Sequence, residues 1–119
     1  MLHLIDSHCH LDFREFDTDR DTILQNCLQS GIEKIVIPGV TVSSWQKQVK
    51  LCQSSPMLSL VLGCHPMFMD EHPDDAVQLL DDAVQQYKPI AIGEIGLDFY
   101  VSNVDMAAQL SLFDAQLDI

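Results

Sequence analysis

The sequence predicts an α/β domain built on a parallel sheet, because apolar runs of strand length alternate with stretches of helical spacing. The four runs are LHLID, EKIVIPG, LSLVLGCHP and PIAIGEIG, at 2–6, 33–39, 58–66 and 89–96. Their Ile, Val and Leu residues do not alternate with polar ones, which is typical of strands covered on both faces. With right-handed crossovers, four consecutive strand–helix units form either an open parallel sheet or part of a barrel.

The first two helical stretches have an apolar face and suitable ends. The stretch 17–31 begins with an acidic turn and places Gly31 where a C-terminal cap belongs. Pro56 stops the second stretch, 42–56. The residues that share a face are Ile23, Cys27 and Leu28 in the first stretch and Trp45, Val49 and Cys52 in the second.

The last two helical stretches follow the third and fourth apolar runs. The stretch 72–89 lies between Pro73 and Pro89 and has two acids near its start, which suits a helix N-terminus. A fourth helix is predicted from about Asp105. The residues on one face are Ala76, Leu80, Ala83, Val84 and Tyr87 in the third helix, and those at helical intervals in the fourth are Met106, Leu110, Phe113 and Leu117.

The composition is that of one globular domain, 1–119. Hydrophobic residues make up 47% of the chain and charged residues 20%, which is ordinary for a chain that buries a core. No apolar run approaches the ~20 residues of a membrane span, and the N-terminus lacks a secretory signal, so a cytoplasmic protein without membrane contact is the simplest interpretation. We expect the four cysteines to be free thiols, because they form no C-x-x-C pair: Cys9, Cys27, Cys52 and Cys64.

The charge balance limits how the protein could bind phosphates. A formal net charge of −12, from 18 acidic and 6 basic residues, argues against a surface that binds nucleic acid by broad phosphate neutralisation. A phosphate substrate would need local positive charge, which a bound divalent cation supplies. The sequence has no glycine-rich phosphate loop of the G-x-G-x-x-G or Walker type, so it does not indicate nucleotide binding.

An H-x-H pattern closes the first predicted strand. In a strand, Asp6, His8 and His10 face one side and Cys9 faces the other. Two imidazoles ~7 Å apart along a strand can converge on one cation if the strand twists or ends after the second. Histidine is the commonest metal ligand, and Asp6 is placed to orient such a ligand.

The third and fourth strands also end in residues that carry chemistry. His65 follows the third strand, and Glu94 and Asp98 follow the fourth. Sites in α/β folds gather at the carboxyl edge of the strands, so we predict that His8, His10 and Glu94 lie together there, on adjacent or near-adjacent strands. The alternatives are a structural hydrogen bond for His65 and a capping or turn carboxylate for Glu94. His3 and His72 look ordinary, the latter in a solvated loop.

Four segments together resemble the TatD family of metal-dependent deoxyribonucleases. They are IDSHCHLDF, GCHP and IGEIGLDFY, in this order and at this spacing, and QLSLFDAQL, which fits a Q-x-x-x-F-x-x-Q-L pattern at Gln109, Phe113, Gln116 and Leu117. H-x-H alone is weak evidence, since other amidohydrolases and phosphoesterases begin with it. The resemblance covers the whole chain but only about the first half of a family member.

The resemblance implies a TIM-type barrel, of which this chain would form about four of eight βα units. Its upper edge would hold one to three divalent ions, commonly two, such as Mg²⁺, Mn²⁺ or Zn²⁺. His8 and His10 resemble ligands of the first metal, Glu94 the carboxylate that bridges two ions, and His65 a catalytic-site residue near the phosphate. The implied reaction is metal-assisted hydrolysis of phosphodiester bonds in DNA.

The chain also departs from the family pattern. A full barrel takes ~250 residues, so the chain resembles a truncated, N-terminal half barrel. The family draws two further histidines and an aspartate from its second half, and no histidine follows Glu94 here. We therefore expect no appreciable activity and only weak metal binding from the chain alone, and self-association through its exposed strand edges. A related phosphoesterase or amidohydrolase with a small substrate, and a non-catalytic remnant, remain alternatives.

Overall fold

The computed structural model describes residues 3–100 and 103–119 as a curled parallel sheet covered by helices. The sheet has the order β1-β2-β3-β4, which is also the chain order. The strands are β1 (Leu4–Asp6), β2 (Ile32–Ile37), β3 (Leu58–Leu62) and β4 (Ala91–Ile92). The helices are α1 (Arg20–Gln29), α2 (Trp45–Ser54), α3 (Ala76–Tyr87) and α4 (Met106–Leu117). The predicted α/β class is confirmed, with four strand–helix units forming part of a barrel.

The strands pair in parallel, and Ile35 lies opposite Leu58, while Val61 lies opposite Ala91. They are shorter than the apolar runs. β1 ends at Asp6, so the H-x-H histidines lie in the loop that follows and not in the strand itself. Short 3₁₀ turns at Arg14–Phe16, Val42–Ser44 and Pro66–Glu71 complete the connections.

Glycines beyond the strand ends allow the sheet to curl tightly. A Cβ on Gly63 would lie 2.6 Å from the carbonyl carbon of Gly93, and one on Gly39 would lie 2.9 Å from the amide nitrogen of Gly63. Only glycine permits such approaches between backbones. As a result Gly39, after β2, exchanges hydrogen bonds with the chain after β4: its amide donates to the carbonyl of Gly93 (3.1 Å) and its carbonyl accepts from the amide of Glu94 (2.7 Å).

The buried side chains form two core clusters between sheet and helices. The first core cluster comprises Leu11, Ile35, Ile37 and Leu58, and α1 and α2 pack against it. The second comprises Trp45, Leu62, Cys64, Ala76, Leu80 and Ala83. Ile23 and Cys27 of α1 contact the first cluster as predicted. Leu28 is exposed, because Ile23, Leu24 and Cys27 already form the inward face and Leu28 lies beyond its edge.

The inward face of α4 was predicted wrongly. Met106, Leu110 and Leu117 are exposed, whereas Gln109 and Gln116 are each 2% exposed. The side chain of Gln116 accepts from the amide of Cys64 (2.7 Å) and donates to its carbonyl (3.2 Å). Gln109 bonds the amide and the carbonyl of Asp98 in the same way, both at 2.8 Å. The helix therefore turns its two glutamines inward to satisfy backbone groups that no strand pairs.

The cysteines are all free, as predicted. Burial raises the pKa of the Cys64 thiol to about 12. The pKa of Cys52 is also raised to about 12, by burial first and then by the negative charge of Asp12. Within the residues that the structure describes, no helix has the length and apolar character needed to cross a membrane.

Candidate metal centre

Three potential ligand atoms meet where the chain leaves β1 and β4. Nε2 of His8 lies 3.3 Å from Nε2 of His10. Oε2 of Glu94 lies 2.9 Å from Nε2 of His10 and 3.5 Å from Nε2 of His8. The structure thus brings together the two histidines and the carboxylate that the sequence placed at the carboxyl edge of the sheet. The prediction of adjacent or near-adjacent strands was wrong, because these residues follow the first and the last strand of the sheet. The curl of the sheet makes them neighbours.

The loop after β1 is held by its own backbone and by stacking. Oδ1 of Asp6 accepts a hydrogen bond from the amide of His8 (3.0 Å), so Asp6 orients the main chain of His8 and not its ring. The amide of Cys9 donates to the carbonyl of Val36 in β2 (3.0 Å), and the Cys9 side chain packs against the first core cluster. The ring of Phe13 stacks on His10, with centroids 4.7 Å apart.

Glu94 is a half-buried carboxylate whose backbone is fixed by the segment after β2. Its amide donates to the carbonyl of Gly39 (2.7 Å). Three imidazoles surround the carboxylate: His8 and His10 face Oε2, and Nε2 of His65 lies 3.6 Å from Oε1. A carboxylate removed from water needs such partners or a cation to offset its desolvation.

The tautomer of His65 follows from its hydrogen bonds. Nδ1 of His65 accepts from the amide of Met67 (3.0 Å) at the start of a 3₁₀ turn. With that lone pair occupied, the neutral ring carries its proton on Nε2, the atom that faces Glu94. His65 therefore presents a hydrogen-bond donor to the site, where His8 and His10 present nitrogen atoms that can ligate.

The remaining sequence candidates lie outside this cluster. Oδ1 of Asp98 accepts from the amide of Tyr100 (3.1 Å), which makes it a turn carboxylate. His3 pairs with Glu33 beside the start of the sheet. His72, expected in a solvated loop, is half-buried, and its Nε2 lies 2.9 Å from the carbonyl oxygen of His65. That expectation was wrong because the 3₁₀ turn folds His72 back onto the end of β3.

Sequence reasoning missed two residues near the loop after β1. Asp12 is buried, and its burial raises the pKa of the carboxyl. Arg20, the first residue of α1, directs its guanidinium at the backbone of this loop. The sequence signals Arg20 only as one basic residue among the acidic residues of the segment DTDRDT, a pattern typical of a solvent-exposed charge.

The donor set fits a divalent cation. Ligand atoms about 2.1 Å from one ion, at octahedral or tetrahedral angles, are about 3.0 to 3.4 Å apart. The three separations of 2.9, 3.3 and 3.5 Å between donor atoms match this spacing closely. Two imidazole nitrogens with one carboxylate oxygen suit zinc or manganese, and leave coordination positions for other groups.

Comparison with known proteins identifies the family. The family model described as TatD related DNase matches residues 5–119, which is nearly the whole chain. The chain belongs to the TatD family. An uncharacterized metal-dependent hydrolase of Escherichia coli, YjjV, is 33% identical to this TatD-family chain over 97% of it. The 3'-5' ssDNA/RNA exonuclease TatD of Erwinia tasmaniensis is 27% identical over 96% of it.

A solved structure confirms the predicted fold of this TatD-family chain. The crystal structure of the TatD homologue YjjV from E. coli superposes on 97% of the chain with a TM-score of 0.91, at 33% identity. The four strand–helix units therefore form part of a TIM-type barrel. The chain spans 45% of YjjV and 44% of the Erwinia protein, which is less than half the length of these relatives.

Proposed function

We propose that this chain supplies the first half of a divalent-metal-dependent hydrolase that cleaves phosphodiester bonds in DNA. The convergence of His8, His10 and Glu94 on one point is the observation that carries the proposal. His8, His10 and Glu94 would hold a divalent ion there, which would supply polarisation of a phosphoryl oxygen and a lowered pKa of water. Mg²⁺, Mn²⁺ and Zn²⁺ are the candidate ions, and two ions are proposed for a complete site.

The two oxygens of Glu94 support a bridging role for this carboxylate. Oε2 faces the two histidines, while Oε1 faces His65 and is turned away from them. We propose that His8, His10 and Glu94 would hold the first ion, and that Glu94 would also serve a second ion. His65, with its proton on Nε2, would donate a hydrogen bond to a phosphate oxygen and so orient the substrate.

DNA is the proposed substrate because of the family and of one relative's stated activity. The Erwinia relative is named as an exonuclease on single-stranded DNA and RNA. The net charge of −12 favours a small phosphoester instead, since a strongly acidic surface repels a polyanion. Bound ions would reverse this charge locally. An assay with single-stranded DNA and with nitrophenyl phosphate distinguishes the two substrate classes.

Metal binding can be tested on the chain itself. Isothermal titration with Mn²⁺ should give binding that is lost in His10→Ala. His3→Ala is the matched control, because His3 is exposed and pairs with Glu33, away from the three ligand atoms. Equal affinity of the His10→Ala and wild-type chains would contradict the proposed centre.

Hydrolysis can be tested in a chimera with a solved relative. The chain would replace the matching 45% of the E. coli protein YjjV, with which it superposes at a TM-score of 0.91. We expect Mn²⁺-dependent cleavage of labelled single-stranded DNA that is abolished by Glu94→Gln but not by Glu33→Gln, an exposed control. Hydrolysis of nitrophenyl phosphate with no cleavage of DNA would favour the small-substrate alternative.

A further inference from the structure

We infer that Arg20 is a positioning residue for the metal-binding loop, here defined as residues 8–13. The inference rests on the proposed function, because it assigns Arg20 the task of holding His10 in place for an ion. Arg20 lies on α1 and does not approach the ligand atoms itself. It acts on the backbone that carries them.

The guanidinium of Arg20 bonds two carbonyls of the loop. Its Nε donates to the carbonyl of Leu11 (2.6 Å), and its Nη2 donates to the carbonyl of Phe13 (3.0 Å). The side chain is only 14% exposed, and the bond to Leu11 is partly buried, so water replaces that bond poorly if it is lost. The carbonyl of Leu11 lies in irregular backbone, and that of Phe13 also accepts from the amide of Phe16 (3.1 Å) at the start of a 3₁₀ turn.

These two carbonyls belong to the turn that begins at His10. The carbonyl of His10 accepts from the amide of Phe13 (3.1 Å), which closes the turn, and the Phe13 ring stacks on the His10 ring. By bonding these two carbonyls, Arg20 holds the backbone next to His10. It also holds the backbone of Phe13, whose ring stacks on the His10 ring. Loss of Arg20 would therefore loosen the backbone that carries both constraints on His10.

The guanidinium is itself anchored to α2. Nη2 of Arg20 donates to Oδ1 of Asp17 (2.6 Å), and Nζ of Lys47 donates to the same oxygen (2.8 Å). Hydrogen bonds from Lys47 and then Arg20 hold the pKa of the Asp17 carboxyl below its ordinary value. Asp17 is thus ionised at neutral pH and links the loop, through Arg20, to a helix packed on the core.

Lysine cannot replace Arg20 in this role. A guanidinium presents several N–H donors in one rigid plane, whereas an ammonium is a point charge on a flexible stem. Here Nε and Nη2 must reach two carbonyls and one carboxylate at once. A lysine would reach one of them, and we expect it to restore only part of the effect.

The test compares Arg20→Gln and Arg20→Lys with the control Arg14→Gln. Arg14 is 89% exposed, and its Nε lies 3.7 Å from Oε1 of Glu15. The first measurement uses the metal-free chain: the ring-proton resonances of His10, assigned through their loss in His10→Ala. Stacking on Phe13 should shift them upfield in the wild type and in Arg14→Gln. In Arg20→Gln they should return toward the position of an unstacked histidine.

The second measurement is Mn²⁺ affinity. We expect Arg20→Gln to weaken it by roughly 10- to 100-fold, as loss of a residue behind a metal ligand does, with Arg20→Lys in between and Arg14→Gln unchanged. If Arg20→Gln does not fold by circular dichroism, Arg20→Lys carries the test by the same two measurements.

The outcomes separate this inference from the proposed function. A wild-type chain that binds no Mn²⁺ would overturn the proposed metal centre, while the His10 resonances of the metal-free variants still decide the role of Arg20. Wild-type His10 resonances in a folded Arg20 variant would overturn the inference. So would wild-type Mn²⁺ affinity in that variant when the wild type itself binds Mn²⁺.

Discussion

Nε2 of His10 lies 2.9 Å from Oε2 of Glu94, although the strands that precede these residues are separated by two others. In a flat sheet with strands about 4.8 Å apart, the ends of β1 and β4 would lie well over 10 Å from each other. The contact therefore depends on curvature, and the glycines Gly39, Gly63 and Gly93 permit that curvature. The close backbone approaches at these glycines therefore permit both the curl of the sheet and the meeting of the ligand atoms.

Gly63→Ala should destabilise the fold and disturb the position of Glu94. The new Cβ would lie 2.6 Å from the carbonyl carbon of Gly93, and overpacking of this kind costs about 1–3 kcal/mol. Urea denaturation would measure the loss, and Mn²⁺ titration the effect on the site. Ser59→Ala, a half-buried change within β3, is the control. A wild-type urea midpoint for Gly63→Ala would contradict this view of the curl.

Gln116→Ala should cost more stability than an ordinary glutamine replacement. It leaves the amide and the carbonyl of Cys64, which is fully buried, without the side-chain partner that bonds both. An unsatisfied buried group costs about 1–3 kcal/mol. Gln85→Ala is the control, because Gln85 is exposed and its side chain bonds another exposed side chain, that of Asp81. Equal losses in urea denaturation would show that the Gln116 bonds contribute nothing specific.

The buried Cys64 thiol should make the fold sensitive to alkali. Its folded-state pKa of about 12 exceeds the ordinary value of 9.0, so the folded state binds the proton more tightly. The contribution to the free energy of unfolding is thus fully present below pH 9 and is lost as the pH rises toward 12, by up to about 1.4 kcal/mol per pH unit.

The measurement is the urea midpoint between pH 8 and 11 for the wild type and Cys64→Ala. Above pH 9 the urea midpoint of Cys64→Ala should fall less steeply than that of the wild type. Each midpoint is compared with the same protein's midpoint at pH 8, which corrects for the stability lost with the sulfur atom. Identical slopes for the two proteins would contradict the assignment of the alkaline loss to Cys64.

We also predict that the chain associates with itself through the edges of its sheet. Ile5 on β1 and Ile90 before β4 are exposed, and both belong to edge strands or their ends. Unpaired edges with apolar side chains promote pairing between chains. Light scattering after size exclusion should show that Ile90→Lys lowers the mass in solution. Gln86→Lys, an exposed change on α3, should leave the mass unchanged; a monomeric wild type would rule the prediction out.

The fold was predictable because the apolar runs and the helical spacing agree along the whole chain. Strand-length runs rich in Ile, Val and Leu defined all four strands, and the order of histidines and Glu94 after them defined one edge. The face of α4 was not predictable from hydrophobicity, because Gln109 and Gln116 turn inward for backbone groups of distant loops. Arg20 was missed for a similar reason. Its partners in the metal-binding loop are backbone carbonyls, which every residue has, so no side-chain type in the sequence marks them.

The position of the ligand atoms at the two ends of the strand order ties the site to completion of the fold. His8 and His10 are close in sequence and meet in any chain with the first loop formed, whereas Glu94 joins them only when every intervening unit has packed. An ion that needs all three donors therefore discriminates between the native chain and its partly folded forms. Its binding would stabilise the fully folded chain selectively, because an incomplete or misassembled chain would lack the third donor.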